Sequence, residues 1–179
     1  MSTATILKAA LFAAEKHKSQ RRKDAEASPY INHPLSLASV LSVERGIENP
    51  DVICAALLHD TIEDTQTTAA ELAEIFGKKI ADIVCEVTDD KSLAKTDRKQ
   101  AQIDHAPHIS YEAKLVKLAD KICNLRDILK SPPTDWGSER KIAYFEWAAA
   151  VVNALRGVDV RLEAIFDTTY ARRRELILD

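Results

Sequence analysis

The chain is 179 residues long, 46% apolar and 30% charged, with 28 Asp and Glu against 25 Lys and Arg for a formal net charge of −3. At this length one core can bury roughly 70% of the surface the unfolded chain exposes. Four Gly and six Pro argue against a loop-rich all-β fold and against disorder, and the negative balance excludes a generally basic nucleic-acid binder.

Apolar residues recur at spacings of three and four, which predicts helices throughout. The first runs over residues 3 to about 19, with Ile6, Leu7, Ala10, Leu11 and Ala14 as its apolar face. A polar loop over residues 20–30 follows and contains Arg21-Arg22-Lys23. Pro34 suits the first turn of a second helix that Gly46 stops. A third starts near Asn49-Pro50-Asp51, carries Val52, Ile53, Ala56, Leu57 and Leu58, and ends in His59-Asp60-Thr61-Ile62-Glu63-Asp64.

Thr68 caps a short helix over 69–76, broken at Gly77, and residues 78–87 form another. After the polar turn Thr88-Asp89-Asp90-Lys91 comes a very polar helix over 96–105. Ser110 caps a long helix over 111–129, ended by Ser131-Pro132-Pro133. Helices over 138–155 and 159–175, separated by Gly157, complete the chain. Without repeats or a long linker, the expectation is one all-α domain over residues 1–179, a bundle of eight or nine helices.

No apolar run approaches the ~20 residues that span a bilayer, and the N-terminus lacks a signal peptide's unbroken apolar core. Cys54, Cys85 and Cys123 are odd in number, with no C-x-x-C pair. Their apolar helical settings read as buried free thiols in a reducing compartment. A cytoplasmic protein is expected, with neither membrane nor nucleic acid as partner.

Four features carry chemistry. His59 and Asp60 end an apolar helix, with Glu63 and Asp64 just beyond. If the helix continues, His59 shares a face with Glu63, and Asp60 with Asp64. Three carboxylates and an imidazole within six residues repel one another unless a cation is bound. His33, directly before Pro34, reads more often as a cap or surface residue than as a ligand. Asp120 stands with Asn124 beside the stripe Leu115, Leu118, Ala119, Ile122 and Leu125, where Lys117 and Lys121 offer it ordinary ion pairs. The basic run Arg21-Arg22-Lys23 reads as a solvated loop or an anion contact. His17, His105 and His108 lie in polar surroundings without partner spacing. Trp136 and Trp147 read as packing residues.

Together His33, His59-Asp60 and Asp120 give the order H…HD…D, which resembles the metal-ligand pattern of HD-domain phosphohydrolases. The segments around Tyr30-Ile31-Asn32-His33-Pro34, residues 55–65, residues 87–91, residues 113–121 and Asn124-Leu125-Arg126-Asp127 resemble the hydrolase domain of RelA/SpoT proteins. The tail over 144–149 is similar to that of stand-alone small alarmone hydrolases, which occur in bacteria and animals. The resemblance implies one divalent metal per chain, typically Mn²⁺, on His33, His59, Asp60 and Asp120. That donor set also suits Fe²⁺, Co²⁺ or Zn²⁺. It further implies Glu63 and Asp64 as the pair that activates water, with Arg22, Lys23, Asn124, Arg140 and Tyr144 binding substrate.

The activity so implied is hydrolysis of the 3′-diphosphate of the alarmone (p)ppGpp to GDP or GTP and pyrophosphate. A 2′-phosphatase acting on NADPH is the alternative within the enzyme class, since both substrates present a phosphorylated ribose oxygen. A nucleotide-sensing HD module without turnover is the alternative outside it, and the intact Glu63-Asp64 pair argues against that.

Overall fold

The computed structural model describes residues 3–177. Ten α-helical segments follow in order: α1 (Thr3–Lys16), α2 (Asn32–Ser39), α3 (Pro50–Leu58), α4 (Thr61–Asp64), α5 (Ala69–Phe76), α6 (Lys78–Val87), α7 (Lys95–His105), α8 (Tyr111–Lys130), α9 (Ser138–Leu155) and α10 (Val160–Ala171). A π-helical turn, Val40–Glu44, extends α2, and a 3₁₀ segment, Arg172–Ile177, follows α10. Among the described residues, extended pairing is limited to a single bridge between Arg21 and Pro29. The nine expected helices are present, and α4 is a single extra turn.

Four helices begin where the sequence offers a cap. The N–H of Asp51 donates to the Asn49 side chain, that of Glu71 to Thr68, that of Ala113 to Ser110, and those of Arg161 and Leu162 to Asp159. Gly77 joins α5 to α6 alone, with φ of +93°. A side chain there would force the left-handed backbone region, so only glycine turns this corner cheaply.

The centre is built from α3 and α8. Every residue of α3 from Asp51 to Leu58 is buried, and α1, α2, α6 and α8 pack around it. The 20-residue α8, about 30 Å long, buries Leu115, Leu118, Ala119, Ile122 and Leu125, as its stripe predicts. It also packs against α9 and α10.

Several expectations are corrected. In α1 the buried positions are Ala9 and Ala13, whereas Leu7 and Leu11 are 59% and 73% exposed. Small alanines let α1 lie close on α3, and the wider leucines turn outward. The second helix starts at Asn32, so Pro34 sits at its third residue, where no helical N–H is needed. The helix of His59 does not continue: α3 ends at Leu58 and α4 begins at Thr61. Cys85 is exposed, while Cys54 and Cys123 are buried; all three are free thiols. His17 is buried against Tyr30, its ring 4.9 Å away, with Nδ1 2.6 Å from the Gln20 side chain.

The packing of α1 gives a direct test by denaturant unfolding. Ala13→Leu should cost about 1–3 kcal/mol through overpacking, while Leu11→Ser should stay within about 0.5 kcal/mol. The reverse order would place the leucine face, not the alanine face, against the core.

Candidate active site

Each end of the site is fixed by local backbone chemistry. The last carbonyls of α3 take two side-chain donors: His59 Nδ1 lies 2.9 Å from the Ala56 oxygen, and the Thr61 hydroxyl donates to Leu58 at 2.7 Å. These bonds close α3 and aim His59 and Asp60 outward from its buried tip. In the neutral ring, an Nδ1–H donated to that carbonyl leaves the lone pair on Nε2. That atom is buried and has no hydrogen-bond partner.

Three separate chain segments meet at that nitrogen. His59 Nε2 lies 2.9 Å from Asp60 Oδ2 and 3.9 Å from Asp120 Oδ1, and His33 Nε2 lies 3.2 Å from the same Asp120 oxygen. Donor atoms of His33, His59 and Asp60 fall within 4.8 Å of one another. Ligands about 2.1 Å from a common ion stand about 3–4 Å apart, so His33, His59 and Asp60 fit a divalent cation, and Asp120 lies against both imidazoles. The orphaned Nε2 and the mixed imidazole–carboxylate donors point the same way.

A ring of partners holds these groups. The Tyr30 hydroxyl donates to Asp60 at 2.5 Å, and Asn124 Nδ2 donates to Asp120 at 2.6 Å. The Lys121 ammonium lies 3.0 Å from the other Asp120 oxygen. Burial opposes the Asp120 charge, yet Lys121 and His33 hold its carboxyl well below the usual range. Behind His33, Asp127 lies 3.7 Å from Nδ1 and accepts from Arg22 at 2.5 Å. Arg22 is thereby tied to α8, unlike the solvated loop residue that its polar neighbours suggest.

Glu63 and Asp64 stand in α4 beside this cluster. The Asp89 N–H donates to Glu63 at 3.1 Å, and Gln20 and Lys91 donate to Asp64 at 2.9 and 2.5 Å. Burial, and then the charges of Asp89 and Asp60, push the Glu63 carboxyl up to about 7.

Two adjoining cavities open here. The smaller, about 300 Å³, is lined by His59, Asp60, Glu63 and Asp120 and by a basic wall including Lys117 and Lys121. The larger, about 810 Å³, is lined by the 20–28 loop, Asp127, Ile128 and Trp136. Arg22, Tyr30, His33, Asp64, Asn124 and Tyr144 line both. Lys23 is exposed and reaches only the larger cavity. Arg140 lines neither, because its guanidinium stacks 4.5 Å from the Trp136 ring and pairs with Asp135 at 3.3 Å. Trp136 and Trp147 are cavity walls as well as packing residues. Tyr30, Asp127 and Trp147 were not singled out from the sequence as site residues. All three lie inside the segments that carry the resemblance, and Trp147 reads there as a packing residue.

Comparison with known proteins places this site in a family. The HD domain profile matches residues 9–145. Over 92% of both chains, the protein is 57% identical to the Xenopus tropicalis protein named guanosine-3′,5′-bis(diphosphate) 3′-pyrophosphohydrolase MESH1. It is 51% identical to the human protein of the same name over 95% of each. A solved structure described as a metazoan ortholog of SpoT that hydrolyses ppGpp superposes with a TM-score of 0.93, at 44% identity over 97% of both chains. The chain therefore belongs to the HD-domain family and, within it, to the group of these MESH1 proteins. Among the described residues no helix is long and apolar enough to cross a membrane.

The raised Glu63 carboxyl has a thermodynamic consequence for the metal-free protein. Its value in an unfolded chain is near 4.5, against about 7 when folded. Ionisation is therefore harder in the folded state, and stability falls as pH rises from about 4.5 to about 7. Melting curves across this range should show the decline in the wild type and a weaker one in Glu63→Gln. Identical pH profiles would mean that Glu63 is not desolvated.

Proposed function

We propose that the chain hydrolyses the 3′-diphosphate of (p)ppGpp, with one Mn²⁺ per chain. The observation that carries this reading is the full set of donor and proton-accepting side chains around one cavity, in a chain similar end to end to proteins named for that activity. The reading treats residues 1–179 as one domain. In its support, α10 packs on α8 beyond the segment that the family profile matches.

In this reading His33, His59, Asp60 and Asp120 hold the ion. When bound, it lowers the pKa of water and offsets phosphate charge. Glu63 accepts the proton of the attacking water, a role suited to a carboxyl near 7. Asp64, held by Gln20 and Lys91, orients that water. Arg22, Asn124 and Tyr144, which line both cavities, grip the substrate around the scissile group, and Lys23 adds charge at the larger cavity. Arg140 acts from the rim through its stack on Trp136. The water oxygen bonds to the phosphorus next to the ribose, the bond from that phosphorus to O3′ breaks, and O3′ takes up a proton. The products are GDP or GTP and pyrophosphate.

Turnover of ppGpp and NADPH by the Mn²⁺-loaded protein tests the reading. GDP and pyrophosphate are expected from ppGpp. Preferential release of phosphate from NADPH would make the site a 2′-phosphatase, and nucleotide binding without products would make it a sensor.

His59→Ala or Asp120→Ala should lose metal and activity together, and chelator should lower the wild-type Tm. Full activity after chelation would defeat the single-metal scheme.

Glu63→Gln or Asp64→Asn should keep one metal and lower kcat by ~10² to 10⁴ with KM unchanged or reduced. Loss of the metal would make these carboxylates ligands instead.

Arg22→Ala with Lys23→Ala should raise KM for ppGpp. Unchanged KM would leave Arg22 as a structural tie to Asp127 and Lys23 as a solvated charge.

A further inference from the structure

His17 is a buried titratable residue that the reaction scheme leaves unused. Ala9, Ala13 and His17 stand four residues apart, so they share the face of α1 that turns inward, and all three are buried. The His17 N–H donates to the Ala13 carbonyl at 2.9 Å, which continues that face one turn past the helix end. The imidazole packs on Tyr30 with ring centroids 4.9 Å apart. Its Nε2 is buried without a hydrogen-bond partner, which costs free energy. A phenyl ring would fill the same place without that cost, so packing alone does not account for the imidazole.

The other ring nitrogen has a partner. His17 Nδ1 lies 2.6 Å from Gln20 Oε1, and Gln20 Nε2 donates to Asp64 Oδ2 at 2.9 Å. An ionised carboxylate only accepts, whereas an amide has one accepting and one donating end. The contact with Asp64 therefore sets the direction of both bonds. The Gln20 nitrogen faces Asp64, its oxygen faces His17, and His17 Nδ1 is the donor.

The backbone supports the same arrangement. The Gln20 N–H donates to the His17 carbonyl at 2.9 Å, and the Tyr30 N–H donates to the Gln20 carbonyl at 3.2 Å. Gln20 is thus held on both sides at the base of the 20–30 loop. Lys91 takes the other Asp64 oxygen at 2.5 Å, from a side chain that is 48% exposed. The exposed Lys91 supplies charge, while the buried His17 supplies direction. One donor on each Asp64 oxygen leaves each a further lone pair for a water.

We propose that His17 and Gln20 are positioning residues for the hydrolysis: His17 Nδ1–H fixes the Gln20 amide, and the amide aims the Asp64 carboxylate at the attacking water. This deepens the reading of Asp64 as the residue that orients water and rests on it. His17 lines neither cavity, so its influence on turnover passes through Gln20 or Tyr30. The two routes separate by substitution. His17→Phe keeps a ring against Tyr30, whose hydroxyl holds Asp60, and removes only the Nδ1 donor. Gln20→Met keeps the side-chain length and removes both ends of the amide.

The test uses the full chain loaded with Mn²⁺, with circular dichroism and metal analysis on every variant. His17→Phe and Gln20→Met should keep one metal per chain and lower kcat about tenfold, with KM within about twofold. In an Asp64→Asn background each should cost less than about twofold more, because the group they aim is already disabled. A merely structural role would multiply the losses. Nitrogen-15 NMR of the Zn²⁺-loaded wild type, which needs no variant, should find a proton on His17 Nδ1. A ring bare at Nδ1, wild-type kcat in either variant, or losses that multiply with Asp64→Asn overturns the proposal. If Asp64→Asn is impaired while His17→Phe and Gln20→Met are not, the positioning pair falls and the reading of Asp64 stands. If Asp64→Asn turns over at the wild-type rate, the reading of Asp64 falls and takes the pair's part in turnover with it. Rates are compared on whichever of ppGpp and NADPH the wild type cleaves, and a wild type that cleaves neither sinks both readings.

Discussion

One hydrogen bond organises the site: that between His59 Nδ1 and the Ala56 carbonyl, made inside the last turn of the most deeply buried helix. A helix end leaves carbonyls unsatisfied, and burial makes that costly. Here the partners come from His59 itself and from Thr61, so the residues that terminate α3 are also those presented to the cavity. The bond fixes the orientation of the His59 ring. The unpaired Nε2 then faces Asp60 and Asp120 in place of solvent.

Around that point the electrostatics are arranged in opposition. Carboxylates from three segments crowd the donor cluster, where each charge is expensive in the absence of a cation. Lys121 stands directly against Asp120, whereas Lys117, buried and held below its ordinary ammonium value by burial and by Lys121, faces Asp89 at 3.9 Å. Within some 300 Å³ an acidic protein thus brings side chains of both signs to one cavity.

Much of the fold was legible because its signals are local. Caps at Asn49, Thr68, Ser110 and Asp159 fix helix starts, and Gly77 and Ser131 mark ends. The apolar period of α8 names its buried face correctly. In α1 the same reasoning failed, since it ranked leucines above alanines and missed that close helix approach favours the smaller side chain. The break between α3 and α4 was invisible because it is set by side-chain bonds to carbonyls and leaves little trace in the pattern. His33, His59, Asp60, Asp120, Glu63 and Asp64 could be gathered from motif order, and the structure brings them together. Asp127 behind His33 depends on tertiary placement.

The wide separation of the donors along the chain has a kinetic meaning. His33 and Asp120 are 87 residues apart, and they meet only when α2 and α8 have both docked on α3. Contacts of this range form late in folding and are lost in any opening that detaches either helix. A cation held among them is therefore a reporter of the closed chain as a whole. Its release to a chelator has two limits, spontaneous dissociation from the native site and the rate at which the chain opens. A chelation rate that stops rising with chelator concentration reads out the faster of these two parallel routes.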